Sequence, residues 1–188
     1  MTFHKTKIKG LYIIEPELKK DKRGYFVRAF CKEELKRGLG INFNIVQVNH
    51  SLTKKRGTIR GLHFQKPPYQ EDKIMQCLRG EIYAVILDLR RNSSTSGKWI
   101  SFRIGGKNKK MILVPKGCAV GIQTVTKNCE LLYYMSEYYA PDYYFGARWN
   151  DPAFKIKWPI KNPFLSEKDK SWPDYNKPKF GISNQSSL

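Results

Sequence analysis

The run Thr58-Ile59-Arg60-Gly61-Leu62-His63-Phe64-Gln65 holds two side chains able to do chemistry. Imidazole titrates closest to neutral pH, so His63 can take a proton from a substrate or return one. Three residues earlier, the guanidinium of Arg60 can grip a phosphate through paired hydrogen bonds. The chain has only two other histidines, His4 and His50. The bland alternatives are a structural histidine and a structural ion pair. Cysteine chemistry is not indicated. Cys31, Cys77, Cys118 and Cys129 follow one another at intervals of 46, 41 and 11 residues, which match no CxxC or zinc-finger pattern. They read as buried free thiols in a reducing compartment.

Strand-like segments must position these groups. Strand-like runs recur at 8–14, 45–48, 74–78, 82–89, 100–104, 111–114 and 131–139, most of them rich in β-branched or aromatic residues and ending near turn residues. Arg79-Gly80-Glu81 separates two of them as a tight hairpin would, and Gly105-Gly106-Lys107-Asn108 reads as another turn. Only residues 32–37, preceded by Phe30, suggest a short helix. Many short strands between Gly and Pro turns predict an antiparallel sandwich or barrel. No repeat or linker divides the 188 residues, so one domain is expected, with a polar, flexible tail from about residue 174.

Hydrophobic residues make up 40% of the chain, enough for a sizeable core. No apolar run is long enough for a membrane helix, and the first residues lack a signal-peptide apolar region. A cytoplasmic protein with no membrane partner is expected. The formal charge of +19, from 35 Lys and Arg against 16 Asp and Glu, favours anionic ligands. Much of it lies in turn-like lysine pairs such as Lys19-Lys20, Lys54-Lys55 and Lys109-Lys110, which read as solvated surface. No nucleic-acid-binding motif accompanies the charge, so no nucleic-acid partner is expected; steeply salt-dependent binding would show one.

Pro115-Lys116-Gly117 lies between two strands, downstream of the His63 strand and of Gly80-Glu81. This arrangement resembles the cupin superfamily, which implies an all-β, double-sheet jelly roll with short helices around a central cavity. Metal-binding cupins carry HxH, a later Glu and a His after the PxG turn. Here the first site reads Leu62-His63-Phe64-Gln65, and Val120 stands three residues after Gly117. A three-histidine site cannot be assembled from these motifs, so no metal and no cofactor are expected.

A closer resemblance rests on several short pieces in one order. They include Asp21-Lys22-Arg23-Gly24-Tyr25-Phe26, Gln47-Val48-Asn49-His50-Ser51, the His63 run, Lys73 and Arg79-Gly80-Glu81. Further on come Asp88-Leu89-Arg90-Arg91, Pro115-Lys116-Gly117, Leu132-Tyr133, Trp149-Asn150-Asp151-Pro152 and Leu165-Ser166-Glu167-Lys168-Asp169. From about Gly10 to Asp169 the chain resembles the dTDP-4-dehydrorhamnose 3,5-epimerases of the cupin superfamily. The resemblance implies inversion of C3, C5 or both in a nucleoside-diphosphate 4-keto-6-deoxy sugar, on the way to a surface polysaccharide. Such chemistry needs a base on one face of the sugar, a proton donor on the other, and a group to hold the enolate oxygen.

By resemblance, His63 is the base, Tyr133 the proton donor and Lys73 the enolate-binding cation. Asp169 is the carboxylate behind the imidazole, with Asp151 as competitor. Tyr134, next to the donor, belongs on the opposite sheet face if the strand is regular. Arg23, Phe26, Gln47, Asn49 and Arg60 resemble the nucleotide- and sugar-binding positions. The family also implies a homodimer, often with an N-terminal strand lent to the partner's sheet; residues 8–14 are the candidate. Two departures stand out. Where the family usually reads Phe-Ala-His-Gly-Phe, this chain has Cys118-Ala119-Val120-Gly121-Ile122, and Arg28 replaces a common glutamate. Val120 puts double epimerisation in doubt. A 3-only epimerase, a 3,4-ketoisomerase and a non-catalytic sugar-nucleotide-binding jelly roll stay open as alternatives.

Overall fold

A computed structural model describes residues 1–175. The first strands are β1 (Thr2–Lys5), β2 (Tyr12–Glu15), β3 (Leu18–Asp21) and β4 (Gly24–Val27), followed by helix α1 (Lys32–Leu39). Then come β5 (Gln47–Thr53), β6 (Ile59–Gln65), β7 (Lys73–Arg79), β8 (Glu81–Asp88), β9 (Trp99–Gly105) and β10 (Met111–Val114). The last are β11 (Cys118–Thr124), β12 (Cys129–Met135), β13 (Tyr144–Gly146) and the one-turn helix α2 (Glu167–Lys170). The strands form two large antiparallel sheets, ordered β1-β2-β10-β7-β12-β5 and β13-β6-β11-β8-β9, and a separate β3–β4 hairpin. This is the all-β, cupin-type double-sheet jelly roll.

Alternation along each strand builds three apolar layers. Met75, Ile86, Ile112 and Leu131 point inward and join the two sheets. Their neighbours Ile74 and Leu113 point outward, under Leu35 of α1 and Phe43. On the other sheet, Val85 and Leu87 point outward, under Phe154 and Trp158. Both faces of the central strands are therefore dry, and β11 is buried along its whole length. That is why these strands read as continuous apolar runs instead of half-polar ones. Each such side chain stabilises the fold by roughly 1.5–3 kcal/mol.

Several local expectations change. Arg79-Gly80-Glu81 is not a hairpin. β7 belongs to the six-stranded sheet and β8 to the five-stranded one, so Gly80, at φ 76°, is a corner between sheets. Residues 8–14 are not one strand: the chain bends through Lys7–Gly10, and β2 is paired on both sides within its own sheet by β1 and β10. β2 therefore has no free edge to lend to a partner. β12 stops at Met135, and residues 136–140 form a loop. The helix expected over 32–37 runs to Leu39 and ends at Gly40, in the left-handed conformation at φ 70°, which suits glycine. β1, β3, β4 and β13 are additions; all are three or four residues long, and lysines interrupt the apolar pattern of β3. The expected tail falls almost wholly outside the described residues. No helix among those described is long and apolar enough to cross a membrane.

Candidate active site

Beside the inner apolar layer, between β5–β12 and β6–β13, the sheets part around a cavity of about 710 Å³. Its first wall comes from β5 and β12. Gln47, Asn49 and Ser51 alternate inward and face Met135, Tyr133 and Leu131 in register. Tyr134 points the other way and stacks on Phe30, with ring centroids 6.0 Å apart. Gln47 accepts a hydrogen bond from the backbone N–H of Tyr139 at 3.1 Å. That tie sets the loop carrying Tyr139 against the cavity mouth. Lys73, at the start of β7, pairs in register with Met135 and lies 2.7 Å from the carboxylate of Glu71.

The opposite wall comes from β6, β11 and β13. In a regular strand, residues three apart face opposite sides. Arg60 and His63 nevertheless both line the cavity. The register shows why. Arg60 pairs with Ile122 and His63 with Val120, so two residues of β6 oppose the single Gly121. This β-bulge turns both side chains inward. Gly61 sits in it at φ 116°, where a Cβ would collide with the Val120 carbonyl and the Gly121 backbone. Only glycine fits there.

The imidazole Nε2 of His63 lies 2.5 Å from Asp169 Oδ1. The two residues are 106 positions apart, and the intervening chain is stitched down in steps. The buried Gln123 amide donates to the Ile160 carbonyl at 2.8 Å and accepts its N–H at 3.0 Å. Ile59 N–H donates to the Phe164 carbonyl at 2.8 Å. Ser166 caps α2 by accepting the Asp169 N–H at 3.1 Å. Burial pushes the Asp169 carboxyl up, but the hydrogen bond and charge of His63, with help from Ser166 and Trp172, outweigh it and hold the group below its ordinary range. Asp151 does not meet His63. It is buried and accepts the backbone N–H groups of Ala153 and Tyr175.

Tyr133 stands on the six-stranded sheet, so it and His63 reach the cavity from opposite walls. Burial raises its phenol above the ordinary value against the opposing pull of Ser51 and Arg60, which keeps it a neutral donor at pH 7. Arg60 donates from Nε to Thr53 Oγ1 at 2.9 Å. Its terminal nitrogens make no other bond among the described residues and remain available to an anion.

Arg23 and Phe26 are not brought to this cavity. Arg23 pairs with Asp21 at 2.7 Å on the exposed hairpin, and Phe26 is 65% exposed. Arg28 pairs with Glu34 at 2.7 Å.

The cavity also holds residues that the sequence reading missed: Gln65, Glu71, Tyr139, Tyr144 and Lys168. Tyr144 pairs with Gln65 on β13, and its ring lies 5.1 Å from that of His63. Burial, with Asp169 next in weight, raises its phenol strongly. The doublets Tyr138-Tyr139 and Tyr143-Tyr144 were the available signal for two of these. Three cations, Arg60, Lys73 and Lys168, face two carboxylates, Glu71 and Asp169, which suits an anionic ligand. Among the described residues no three His, Cys, Asp or Glu side chains gather in the way a metal ion would need.

Gly146 pairs in register with His63, and a Cβ there would run into the indole of Trp172. That indole donates to Asp169 at 3.4 Å. Gly146→Ala should therefore displace Trp172 and loosen Asp169. The expected result is a loss of roughly 1–3 kcal/mol in stability and a fall of about tenfold in kcat with KM little changed, read by thermal melting and steady-state kinetics.

Comparison with known proteins gives consistent matches. The family profile for dTDP-4-dehydrorhamnose 3,5-epimerase matches residues 5–177. The protein of that name from Methanothermobacter thermautotrophicus is 39% identical over 173 residues, 90% of this chain and 92% of its own. The crystal structure of dTDP-4-dehydrorhamnose 3,5-epimerase from Bacillus anthracis, with TDP and PPi bound, is 38% identical with a TM-score of 0.90, covering 93% of this chain and 99% of that one. A dTDP-4-dehydrorhamnose 3-epimerase from Streptomyces niveus is 31% identical over 162 residues, 86% of this chain and 78% of its own.

Proposed function

The chain belongs to the dTDP-4-dehydrorhamnose 3,5-epimerase family, and we propose an enolate mechanism by which it inverts C3, C5 or both in a nucleoside-diphosphate 4-keto-6-deoxy sugar. One observation carries the mechanism: the His63–Asp169 pair and the neutral phenol of Tyr133 face one cavity from opposite sheets.

His63 takes the proton from the carbon beside the C4 ketone, and the C–H electron pair moves into the C–C bond while the carbonyl pair moves onto oxygen. Asp169 stabilises the imidazolium that forms; a charge-assisted hydrogen bond of this kind contributes about 1.5–3 kcal/mol. Lys73 holds the enolate oxygen. Tyr133 then protonates the same carbon from the other face, which inverts it. Solvent restores the phenol, and His63 releases its proton. Arg60 takes the diphosphate through its unpaired terminal nitrogens, while Gln47 and Asn49 line the wall available to the base and sugar.

Val120 is the cross-strand neighbour of His63, at the place of the family's second pocket histidine. A valine there offers the sugar no hydrogen bond. This favours a second reading, inversion at one carbon only, as the name of the Streptomyces niveus relative implies for that protein. The test is product stereochemistry by NMR for dTDP-, CDP- and GDP-linked 4-keto-6-deoxy sugars. Inversion at C3 with C5 unchanged selects the second reading. No inversion with any of them defeats both.

The enzyme works as a homodimer in this reading. Among the described residues the β3–β4 hairpin pairs with no other strand and carries Arg23, Tyr25 and Phe26 exposed, and β5 is an edge strand of its sheet. An open sheet edge and an exposed hairpin both favour pairing between copies, and in the dimer of this reading Arg23 and Phe26 reach the partner's cavity. Mixing inactive Arg23→Ala and His63→Asn subunits should then restore about a quarter of the wild-type sites, because half the dimers are mixed and each has one undamaged site. Recovered activity after subunit exchange supports the arrangement; none places Arg23 outside it. The four unpaired cysteines suit a reducing compartment, and we assign the chain to the cytoplasm.

A further inference from the structure

We infer that Glu71 is a positioning residue, whose work is to hold the Lys73 ammonium where the enolate oxygen forms. This rests on the enolate reading of Lys73 above. Both side chains line the cavity, their charged atoms are 2.7 Å apart, and the residues are 5% and 8% exposed. Among the described residues, each is the other's only ion-pair partner.

Stability alone does not account for such a pair. Buried ion pairs often contribute no more than apolar residues of the same volume. The geometry suggests a different use. A lysine has four rotatable side-chain bonds and rotamer entropy of about 2 kcal/mol. A bound sugar nucleotide adds a diphosphate to the cavity, and Asp169 already stands on its far wall. A free ammonium could swing to either. Glu71 uses one of its three N–H donors and anchors it on the wall opposite His63, leaving two donors for the sugar oxygen. The carboxylate also repels the enolate, so its net effect is favourable only where fixing the ammonium outweighs that repulsion.

A double-mutant cycle on the full-length protein decides this. Glu71→Ala, Lys73→Met and the double variant are compared in kcat, KM and solvent-deuterium exchange, with thermal melting as a check on folding. Where Glu71→Ala does not fold, Glu71→Gln, which keeps the shape and removes the charge, takes its place in the cycle. The expected result is a kcat loss of about tenfold for the Glu71 variant with KM within about twofold, a larger loss for Lys73→Met, and a double variant no slower than Lys73→Met alone. A Glu71 variant as fast as or faster than wild type, beside a slow Lys73→Met, overturns the inference and leaves the role of Lys73 intact. Losses that multiply in the double variant overturn it as well, because Glu71 then acts independently of Lys73. Wild-type kcat in Lys73→Met removes the enolate role of Lys73 and the inference with it.

Discussion

His63→Asn will lower kcat by about a thousandfold or more while leaving the fold and sugar-nucleotide binding in place. General acid–base catalysis by one positioned side chain contributes typically 10²–10⁴-fold, and here the same group both removes the proton and forms the cationic partner of the enolate. Asparagine is chosen over alanine for a physical reason. Asp169 is 5% exposed and its carboxylate bonds to the imidazole. Truncation to alanine would leave that carboxylate buried with little to bind, at a cost of about 1–3 kcal/mol. The asparagine amide can still donate to it but cannot accept a proton from carbon near neutral pH. Isothermal titration with a dTDP-sugar and a thermal melt, run beside the kinetic assay, separate lost chemistry from lost structure. A His63→Asn enzyme within tenfold of wild-type kcat would mean that another group is the base.

Tyr133→Phe separates the two halves of the reaction. Removing one hydroxyl should slow inversion by about a hundredfold or more. Proton exchange with solvent should fall far less, because His63 can still form the enolate and return a deuteron to the face it came from. The variant therefore labels its substrate without converting it. Mass spectrometry reports the label and NMR reports the configuration at the same carbon. If exchange and inversion decline together, the phenol is not the opposite-face donor. Tyr144, a half-buried phenol beside the imidazole, stands on the His63 wall and so cannot take over inversion.

Much of the wall bearing Tyr133 was legible in the sequence. Alternation along β12 sends Tyr133 inward and Tyr134 outward, and the same period along β5 aligns Gln47 with Asn49. Asp169 was legible only through family resemblance, since no spacing rule joins residues 106 apart; the join depends on Gln123 pinning Ile160 and on Ile59 pairing with Phe164. The shared face of Arg60 and His63 depends on a bulge, and a lone glycine inside a strand says only that one is allowed. Gly80 misled for a related reason, because a hairpin and a sheet-to-sheet corner both need a residue at positive φ. Glu71 lay in the polar stretch Gln70-Glu71-Asp72, outside any strand, where no period marks a buried side chain.

The central claim is that His63 draws a proton from carbon next to a ketone. Its most direct test is wild-type enzyme incubated in D2O with a dTDP-linked 4-keto-6-deoxy-glucose, the sugar then analysed by mass spectrometry and proton NMR. Deuterium should enter at C3, at C5 or at both, and His63→Asn should abolish it. A sugar that binds and keeps both protons indefinitely would contradict the mechanism.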